Sequence, residues 1–301
     1  MEATILGTSC MVPTKDRNVS GLYFEYHGEG MLFDCGEGTQ RQMNIAGINR
    51  NKVSRIFISH WHGDHVSGII GLLQTVGNQK DNQGKTIHIF GPKETKLRMK
   101  HLLQTAIFDL KIELDIKEFD PKRITTVCET DRYLVKCAPM DHSIPCIGYV
   151  FIEKDRRRIN TAYLHKLRIP EGPHLQKLAD GKPITYKGVK VDVKKATYLV
   201  KGRRFAVIPD TSITPVAAQL AMDAEVMVIE STYCSEHEDR AEKHKHLTAK
   251  QAALIASEAN VKKLILTHFS QRYDDTSHIE EEARTYFQNV VCAHDFMKIK
   301  W

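Results

Sequence analysis

The sequence has no hydrophobic run long enough to span a bilayer. Its longest stretch without Asp, Glu, Lys or Arg is His65–Gln79, which covers 15 residues and includes polar amides. A transmembrane helix needs about 20 predominantly apolar residues. The first ten residues also lack a basic segment followed by a long apolar core, so no export signal is predicted. We therefore expect no membrane segment and a cytoplasmic location.

Paired cysteines are missing as well. The seven cysteines are an odd number and include no C-x-x-C spacing, which argues against a disulfide framework and against a thiolate zinc site. No internal repeat or low-complexity tract is visible. With 42% hydrophobic and 27% charged residues, the composition is that of an ordinary globular chain. Disordered, fibrous and coiled-coil classes are excluded.

Positive charge is concentrated in one segment of the chain. Residues 153–204 hold fifteen Lys and Arg against five Asp and Glu, a local charge of +10, although the whole chain carries only +6. The remaining residues are therefore slightly acidic, at −4. Such a segment is either a solvated lysine-rich surface or a polyanion-binding element, and composition alone does not separate the two.

Short apolar strands alternate with helical patterns on both sides of this basic segment. Strands are predicted at 3–6, 22–26, 31–34, 55–59, 87–90, 133–138, 204–208, 226–229 and 263–267. Helices are predicted at 36–46, 65–77, 93–106, 248–258 and 279–287. This alternation indicates a single layered α/β domain over residues 1–301, interrupted by an insertion at 153–204 that we interpret as a protruding arm.

The strongest local signal is an H-x-H-x-D-H motif, which comes directly after an apolar strand. His60 and His62 are two residues apart in an extended segment, so their side chains can point to the same side. Asp64 and His65 follow a glycine, which lets the chain turn towards a second ion. Imidazole and carboxylate without thiolate suit a catalytic zinc or manganese site. A chance cluster on an exposed loop is the alternative, and the complete motif makes it improbable.

Three further residues of ligand type follow predicted apolar strands. His142 comes after 133–138, Asp210 after 204–208 and His268 after 263–267. Each alone could be an ordinary residue at the end of a strand. Together with the motif they supply five histidines and two aspartates, enough for two ions, and a carboxylate such as Asp210 can bridge two metals.

This pattern resembles the metallo-β-lactamase superfamily, and other segments resemble the short form of ribonuclease Z more narrowly. The segments that carry this second resemblance are 6–18, 33–41, 68–75, 246–249 and 267–273. The resemblance covers essentially the whole chain. It implies an αββα sandwich with an inserted arm and a dinuclear zinc site, with manganese as the other candidate metal. On matching positions one zinc would be held by His60, His62 and His142, the other by Asp64, His65 and His268, with Asp210 between them.

The same resemblance implies an endoribonuclease that removes the 3′ trailer of precursor tRNA and leaves a 3′-hydroxyl on the tRNA. Two ions would supply a water with a lowered pKa. Asp64 would accept a proton, and His246 would protonate the leaving 3′-oxygen. His246 could otherwise be an exposed histidine in a basic run, but its position before Leu-Thr-Ala matches the family motif.

Substrate contacts are also expected from the resemblance. The arm at 153–204 would bind tRNA as an exosite, with Gly172 and Pro173 in its Gly-Pro core. Lys15, Arg17 and Arg272 are candidate phosphate contacts, or ordinary surface charges. The family implies a homodimer. The alternatives are another phosphodiesterase or (thio)esterase of the superfamily, which would have no need of a +10 arm, and a non-catalytic RNA-binding relative, which should have lost ligands.

Overall fold

The computed structural model describes every residue from Met1 to Trp301. Strands and helices alternate along the chain, with two seven-stranded sheets and two short two-stranded sheets. The strands are β1 (Glu2–Gly7), β2 (Gly21–Tyr26), β3 (Glu29–Cys35), β4 (Val53–Phe57), β5 (Thr86–Pro92), β6 (Glu113–Phe119), β7 (Thr125–Glu129), β8 (Tyr133–Met140), β9 (Cys146–Glu153), β10 (Arg156–Ile159), β11 (Ile184–Tyr186), β12 (Val189–Val191), β13 (Thr197–Val200), β14 (Arg204–Ile208), β15 (Val226–Glu230), β16 (Lys263–Thr267), β17 (Val290–Cys292) and β18 (Lys298–Lys300).

The α-helices are short, and the longest has ten residues. They are α1 (Thr39–Ile45), α2 (Gly63–Val66), α3 (Ile69–Gly77), α4 (Thr95–Leu103), α5 (Thr161–Lys166), α6 (Gln176–Ala179), α7 (Val193–Ala196), α8 (Pro215–Ala221), α9 (Glu238–His244), α10 (Ala249–Glu258) and α11 (Ser277–Arg284). None of them has the length and apolar character that a membrane crossing requires.

The chain divides into two compact units. The first consists of residues 1–128, 135–151 and 204–301, and the second of residues 129–134 and 152–203. The second unit has a small apolar core of its own and a ribbon in which β10 pairs antiparallel with β13. Its four short strands, β10–β13, have three or four residues each. Its proposed role as a tRNA-binding arm stays a prediction.

The two large sheets of the first unit pack face to face. Their orders are β18-β1-β2-β3-β4-β5-β6 and β17-β16-β15-β14-β9-β8-β7. Aromatic rings fill the space between them: Phe24 lies 4.7 Å from Phe151 and 5.3 Å from Phe205, measured between ring centroids. Alternate side chains of the first sheet point away from this interface and pack against helices. Leu32 of β3, for example, lies in a cluster with residues of α1 and α3.

Central strands are therefore covered on both faces, which explains why β3 and β15 are apolar without alternation. On the far side of the second sheet, α8 packs against β14, and α10 packs against β15 and β16. The layers follow the order helix, sheet, sheet, helix. The predicted αββα sandwich is confirmed.

One predicted helix is wrong in detail. The pattern at 65–77 predicted a continuous helix, but the structure has α2, a break at Ser67–Gly68, and then α3. Gly68 lies against the end of β3, where its N–H donates to Cys35 O at 2.9 Å. A Cβ on Gly68 would lie 2.1 Å from Gly36 O, so the chain must bend around that backbone. The predicted helix at 93–106 is also shorter, spanning Thr95–Leu103.

Candidate metal centre

The predicted ligands follow the ends of strands from both sheets. Strands β3, β4 and β5 run parallel in one sheet, and β14, β15 and β16 run parallel in the other. Because carboxyl ends of parallel strands share one edge of a sheet, the loops after β4, β14 and β16 open towards the same region. The loop after β8 adds His142 to this region.

His60 and His62 lie in the extended segment between β4 and α2. His60 is fully buried, and its Nε2 is 3.0 Å from Nδ1 of His62. The backbone of His62 is extended (φ −73°, ψ 150°), and α2 begins at Gly63, which turns Asp64 and His65 into the same centre. Asp64 Oδ2 lies 3.5 Å from Nε2 of both His65 and His268.

The ligand atoms form two neighbouring groups. His60, His62, His142 and Asp210 make one group, and Asp64, His65 and His268 make the other, with the ligand atoms of each within 4.8 Å of one another. The structure therefore brings together all seven residues proposed as metal ligands. Their role as ligands stays a prediction.

Asp210 lies between the two groups, with one carboxylate oxygen facing each. Its Oδ2 is 3.7 Å from His60 Nε2 and 3.9 Å from His142 Nε2. Its Oδ1 is 3.6 Å from His65 Nε2 and 3.4 Å from His268 Nε2. A carboxylate in this position can bind one cation through each oxygen.

The donor set fits divalent cations. Asp210 Oδ1 is buried and accepts no hydrogen bond, which is costly unless a cation is bound beside it. Imidazole nitrogens face each other at 3.0–3.3 Å within both groups. Two facing nitrogens repel unless a proton or a cation lies between them. Imidazole and carboxylate donors suit zinc or manganese.

Four of the five histidine rings make a hydrogen bond through Nδ1, on the side of the ring that faces away from the centre. The Nδ1–H of His65 donates to Asp34 Oδ2 at 2.7 Å, and the Nδ1–H of His142 donates to Lys245 O at 3.0 Å. In the same way, the Nδ1–H of His60 donates to Ser59 Oγ at 2.9 Å, and the Nδ1–H of His268 donates to Thr232 Oγ1 at 3.1 Å. Each contact leaves Nε2 free to face the centre, and such contacts fix ligand tautomers in metal sites.

Protonation in the centre follows the positions of the two aspartates. Burial, with repulsion from neighbouring rings, lowers the pKa of His60, His62 and His142. Burial would also lower the pKa of His65 and His268, but the charges and hydrogen bonds around them, with Asp210 the largest, together outweigh it and raise both well above their ordinary value. Burial acts against ionisation of Asp64 and Asp210, yet the histidines lower the pKa of both. Bound cations would displace the protons of His65 and His268.

His246 lies beside this centre and is hydrogen-bonded to a buried glutamate. Its Nδ1–H donates to Glu230 Oε1 at 3.0 Å, and its ring centroid is 5.3 Å from that of His142. Burial alone would lower the pKa of His246, but the charge and hydrogen bond of Glu230 raise it to about 9. A histidine that keeps its proton at neutral pH can act as a general acid.

A cleft lies beside the centre, with His62, Asp64, His142 and Asp210 in its wall. The same wall includes one of the predicted phosphate contacts. Arg272 lies in it, with its guanidinium 5.2 Å from the Tyr233 ring and its Nε donating to Ser270 Oγ at 3.0 Å. Arg17 donates to Ser270 O at 3.3 Å, but neither Arg17 nor the exposed Lys15 is part of the wall. In the second unit, Gly172 and Pro173 stand at the start of a short 3-10 helix.

Sequence reasoning missed the residues that support the ligands. Asp34 and Glu230 are the main examples: each stands at or next to the end of an apolar strand, the same signal that identified Asp210. Glu230 Oε1 also accepts the N–H of Thr211, the residue after Asp210, at 2.8 Å. A consistent search of strand ends would have found both carboxylates.

The chain is similar to known families and to proteins of known name. The family described as Anti-Pycsar protein Apyc1 matches residues 1–153, and the beta-lactamase superfamily domain matches residues 184–269. The chain is 37% identical to the ribonuclease Z of Protochlamydia amoebophila, over 98% of this chain and 95% of that one. It is 38% identical to the ribonuclease Z of Methanothermobacter thermautotrophicus, over 100% and 96%.

Solved structures show the same fold. The human tRNase Z short form is 26% identical, with a TM-score of 0.73, covering 100% of this chain and 99% of that one. The metallo-beta-lactamase fold protein YhfI from Bacillus subtilis, 17% identical, has a TM-score of 0.69 and covers 99% and 98%. The second likeness shows the fold alone.

Proposed function

The chain belongs to the ribonuclease Z family, and from this premise we propose that its histidine–aspartate centre holds two divalent ions, zinc first, with manganese as the alternative. The chain is a hydrolytic endoribonuclease that acts in tRNA 3′ processing. We propose that the cut leaves a 3′-hydroxyl on the tRNA and a 5′-phosphate on the trailer.

The observation that carries this proposal is the position of Asp210, with one carboxylate oxygen towards each group of histidines. We propose His60, His62 and His142 as ligands of one ion and Asp64, His65 and His268 as ligands of the other, with Asp210 bridging them. Two such ions neutralise the charge of a phosphodiester and lower the pKa of a bound water.

The chain's own residues would handle the two protons of the reaction. Water adds to phosphorus and the bond from phosphorus to the 3′-oxygen breaks. Asp64 would accept the proton of the attacking water, and the N–H of Met11, which donates to Asp64 Oδ2 at 2.8 Å, keeps that carboxylate in place. His246, protonated beside Glu230, would give its proton to the leaving 3′-oxygen.

We further propose that residues 153–204 bind the tRNA body through phosphate contacts that are independent of sequence, with Gly172 and Pro173 in the binding loop. The local charge of +10 supports this role. Lys15, Arg17 and Arg272 are proposed as contacts near the cut. A homodimer is proposed from the family resemblance. A cytoplasmic location is proposed because the seven cysteines are free thiols, as in a reducing compartment.

The alternative functions make different demands on the chain. A non-catalytic RNA-binding relative would not need seven ligand-type residues around one centre, yet all seven positions are filled. An esterase or a phosphodiesterase for small substrates would not need the basic segment.

The direct test is to incubate the purified protein with zinc or manganese and a 3′-extended tRNA transcript, then map both new ends. We expect one cut next to the discriminator nucleotide, with a 3′-hydroxyl and a 5′-phosphate. Protein that hydrolyses small diesters but leaves the transcript intact would contradict the proposal. Metal analysis should find two ions per chain, and light scattering should find a dimer.

A further inference from the structure

Helix α9 sorts its charges onto two faces. Arg240, Lys243 and His244 are spaced i, i+3 and i+4, so they share one face, and all three are exposed in the wall of the cleft. Glu238, Asp239 and Glu242 of the same helix are absent from that wall. We name Arg240, Lys243 and His244 the α9 basic face.

Composition hides this surface. Residues 236–246 carry four acidic and three basic side chains, a net charge of −1, so the net charge of the segment gives no sign of a cationic patch. The only strong positive excess in the sequence is the segment 153–204, of which all but the last residue belongs to the second unit. Helical spacing separates the two signs, and the fold turns the cations of α9 towards the cleft.

The cations of the α9 basic face are not neutralised within the chain. Lys245, the next residue, is paired with Asp141 at 2.7 Å, and Glu238 accepts a hydrogen bond from Gln251 at 3.0 Å. Arg240 and Lys243 make no ion pair and no side-chain hydrogen bond. Two unpaired cations beside a centre that takes phosphodiesters are suited to bind further phosphates of the same substrate.

The chemistry of the cut indicates which part of the substrate these phosphates belong to. His246 N–H donates to Ala241 O at 2.8 Å and closes the end of α9, so His246 and the α9 basic face belong to one rigid piece. The 3′-oxygen that His246 would protonate belongs to the last nucleotide of the tRNA. The strand on the His246 side of the cut is therefore the tRNA, and the trailer leaves on the other side.

We propose that Arg240 and Lys243 bind backbone phosphates of the tRNA acceptor stem, immediately upstream of the cut, and not phosphates of the trailer. This proposal rests on the proposed function and on the assignment of His246. It adds a second cationic contact surface, separate from the segment 153–204, and gives the direction in which the RNA strand runs through the cleft.

The test compares Arg240→Gln/Lys243→Gln with wild type on precursors that carry a trailer of one or of about twenty nucleotides. We expect KM to rise about tenfold, in equal measure for both substrates, with little change in kcat. The slope of log KM against log salt should become shallower by about 1.5, because two phosphate contacts are lost. Lys96→Gln/Lys100→Gln on α4 removes the same charge from another exposed helix and should change neither value.

Three outcomes would overturn the proposal. A loss seen only with the long trailer would assign the surface to the trailer. An unchanged KM and salt slope would make α9 an ordinary solvated helix. A parallel loss of hydrolysis of bis(p-nitrophenyl) phosphate, which is too small to extend along α9, would mean that the helix only supports the centre. If wild type itself cleaved no precursor while hydrolysing the small diester, the proposed function would fail instead.

Discussion

Asp210 is the residue on which both halves of the centre depend. It is buried, has five histidine rings within 3.9 Å of its carboxylate oxygens, and has one oxygen that no donor satisfies. Its charge is the largest of the contributions that raise the pKa of His65 and His268. Its removal therefore takes a ligand from both proposed ions and leaves less negative charge beside the buried histidines.

We expect Asp210→Ala to lose both ions and to abolish cleavage. Metal content by atomic absorption, measured together with turnover, is the test. Asp210→Asn is the matched control, since it keeps the shape and one ligand oxygen; it should retain more metal than the alanine variant. Two tightly held ions and a near-normal rate in Asp210→Ala would exclude the bridging role.

His246 makes a separable prediction because its proposed role is to donate a proton. His246→Ala should lower kcat for precursor tRNA by roughly 10²–10⁴-fold while both ions stay bound. A substrate with a much better leaving group needs no proton and should slow far less. Equal slowing of both substrates, or loss of metal, would show that His246 has a different function.

At the scale of elements, the loop between β1 and β2 is held by the C-terminal segment. Asp295 accepts hydrogen bonds at both ends of this loop, from Thr8 Oγ1 at 2.9 Å and from the N–H of Asn18 at 2.7 Å. It also accepts from Gln42 Nε2 of α1 at 2.8 Å. The loop carries Met11, whose N–H donates to Asp64. We therefore expect Asp295 to help position Asp64, the proposed proton acceptor, which it does not touch.

Asp295→Ala should loosen this loop. We expect a loss of about 2–4 kcal/mol in the free energy of unfolding, because three donors lose a charged acceptor. We also expect a several-fold lower kcat. Asp295→Asn can accept from Asn18 and donate to Thr8, so it should restore most of the activity. Denaturant unfolding and steady-state kinetics of the two variants are the measurements; equal damage from both would rule out the hydrogen-bond explanation.

The pH dependence of stability gives an independent check on Asp295. Burial, which outweighs its hydrogen bonds, raises the pKa of this carboxyl above its ordinary value. A raised folded-state pKa stabilises the protonated form, so this contribution is present below the unfolded pKa and is lost as pH rises through the folded pKa. The stability of wild type relative to Asp295→Asn should therefore fall as pH rises through that window. If the difference in unfolding free energy between wild type and Asp295→Asn stays constant with pH, the raised pKa of Asp295 is contradicted.

At the scale of the whole molecule, the second unit can be removed without touching the proposed ligands. Glu153 N–H donates to Arg203 O at 2.8 Å, so the chain enters and leaves this unit at adjacent positions that a short linker can join. All seven ligands lie in the first unit.

Deleting residues 154–203 should preserve hydrolysis of a small phosphodiester and greatly weaken precursor tRNA cleavage, mainly through KM. The tRNA affinity of the intact enzyme should also fall more steeply with salt than that of the deletion. Neutralising Arg156, Arg157 and Arg158 should give a partial version of the effect. If the deletion variant processes precursor tRNA normally, the segment is only a solvated surface. Loss of both activities would mean that it supports the fold.

The sequence by itself determined the fold class and the candidates for the centre. Ligand-type residues within one short motif, and others directly after apolar strands, can be recognised because strand ends of one sheet lie along one edge. The break between α2 and α3 could not be predicted from the sequence, because it depends on the contact of Gly68 with the backbone of β3.

Only the tertiary structure decided which residues meet across the chain. His65 and His268 are 203 residues apart, and Thr8 and Asp295 are 287 apart, so no local pattern relates them. The roles of Asp34 and Glu230 depend in the same way on which ring each carboxylate faces. The α9 basic face is the clearest case: a segment of net charge −1 presents a cationic surface to the cleft because packing of the helix turns its basic side, and not its acidic side, towards the centre.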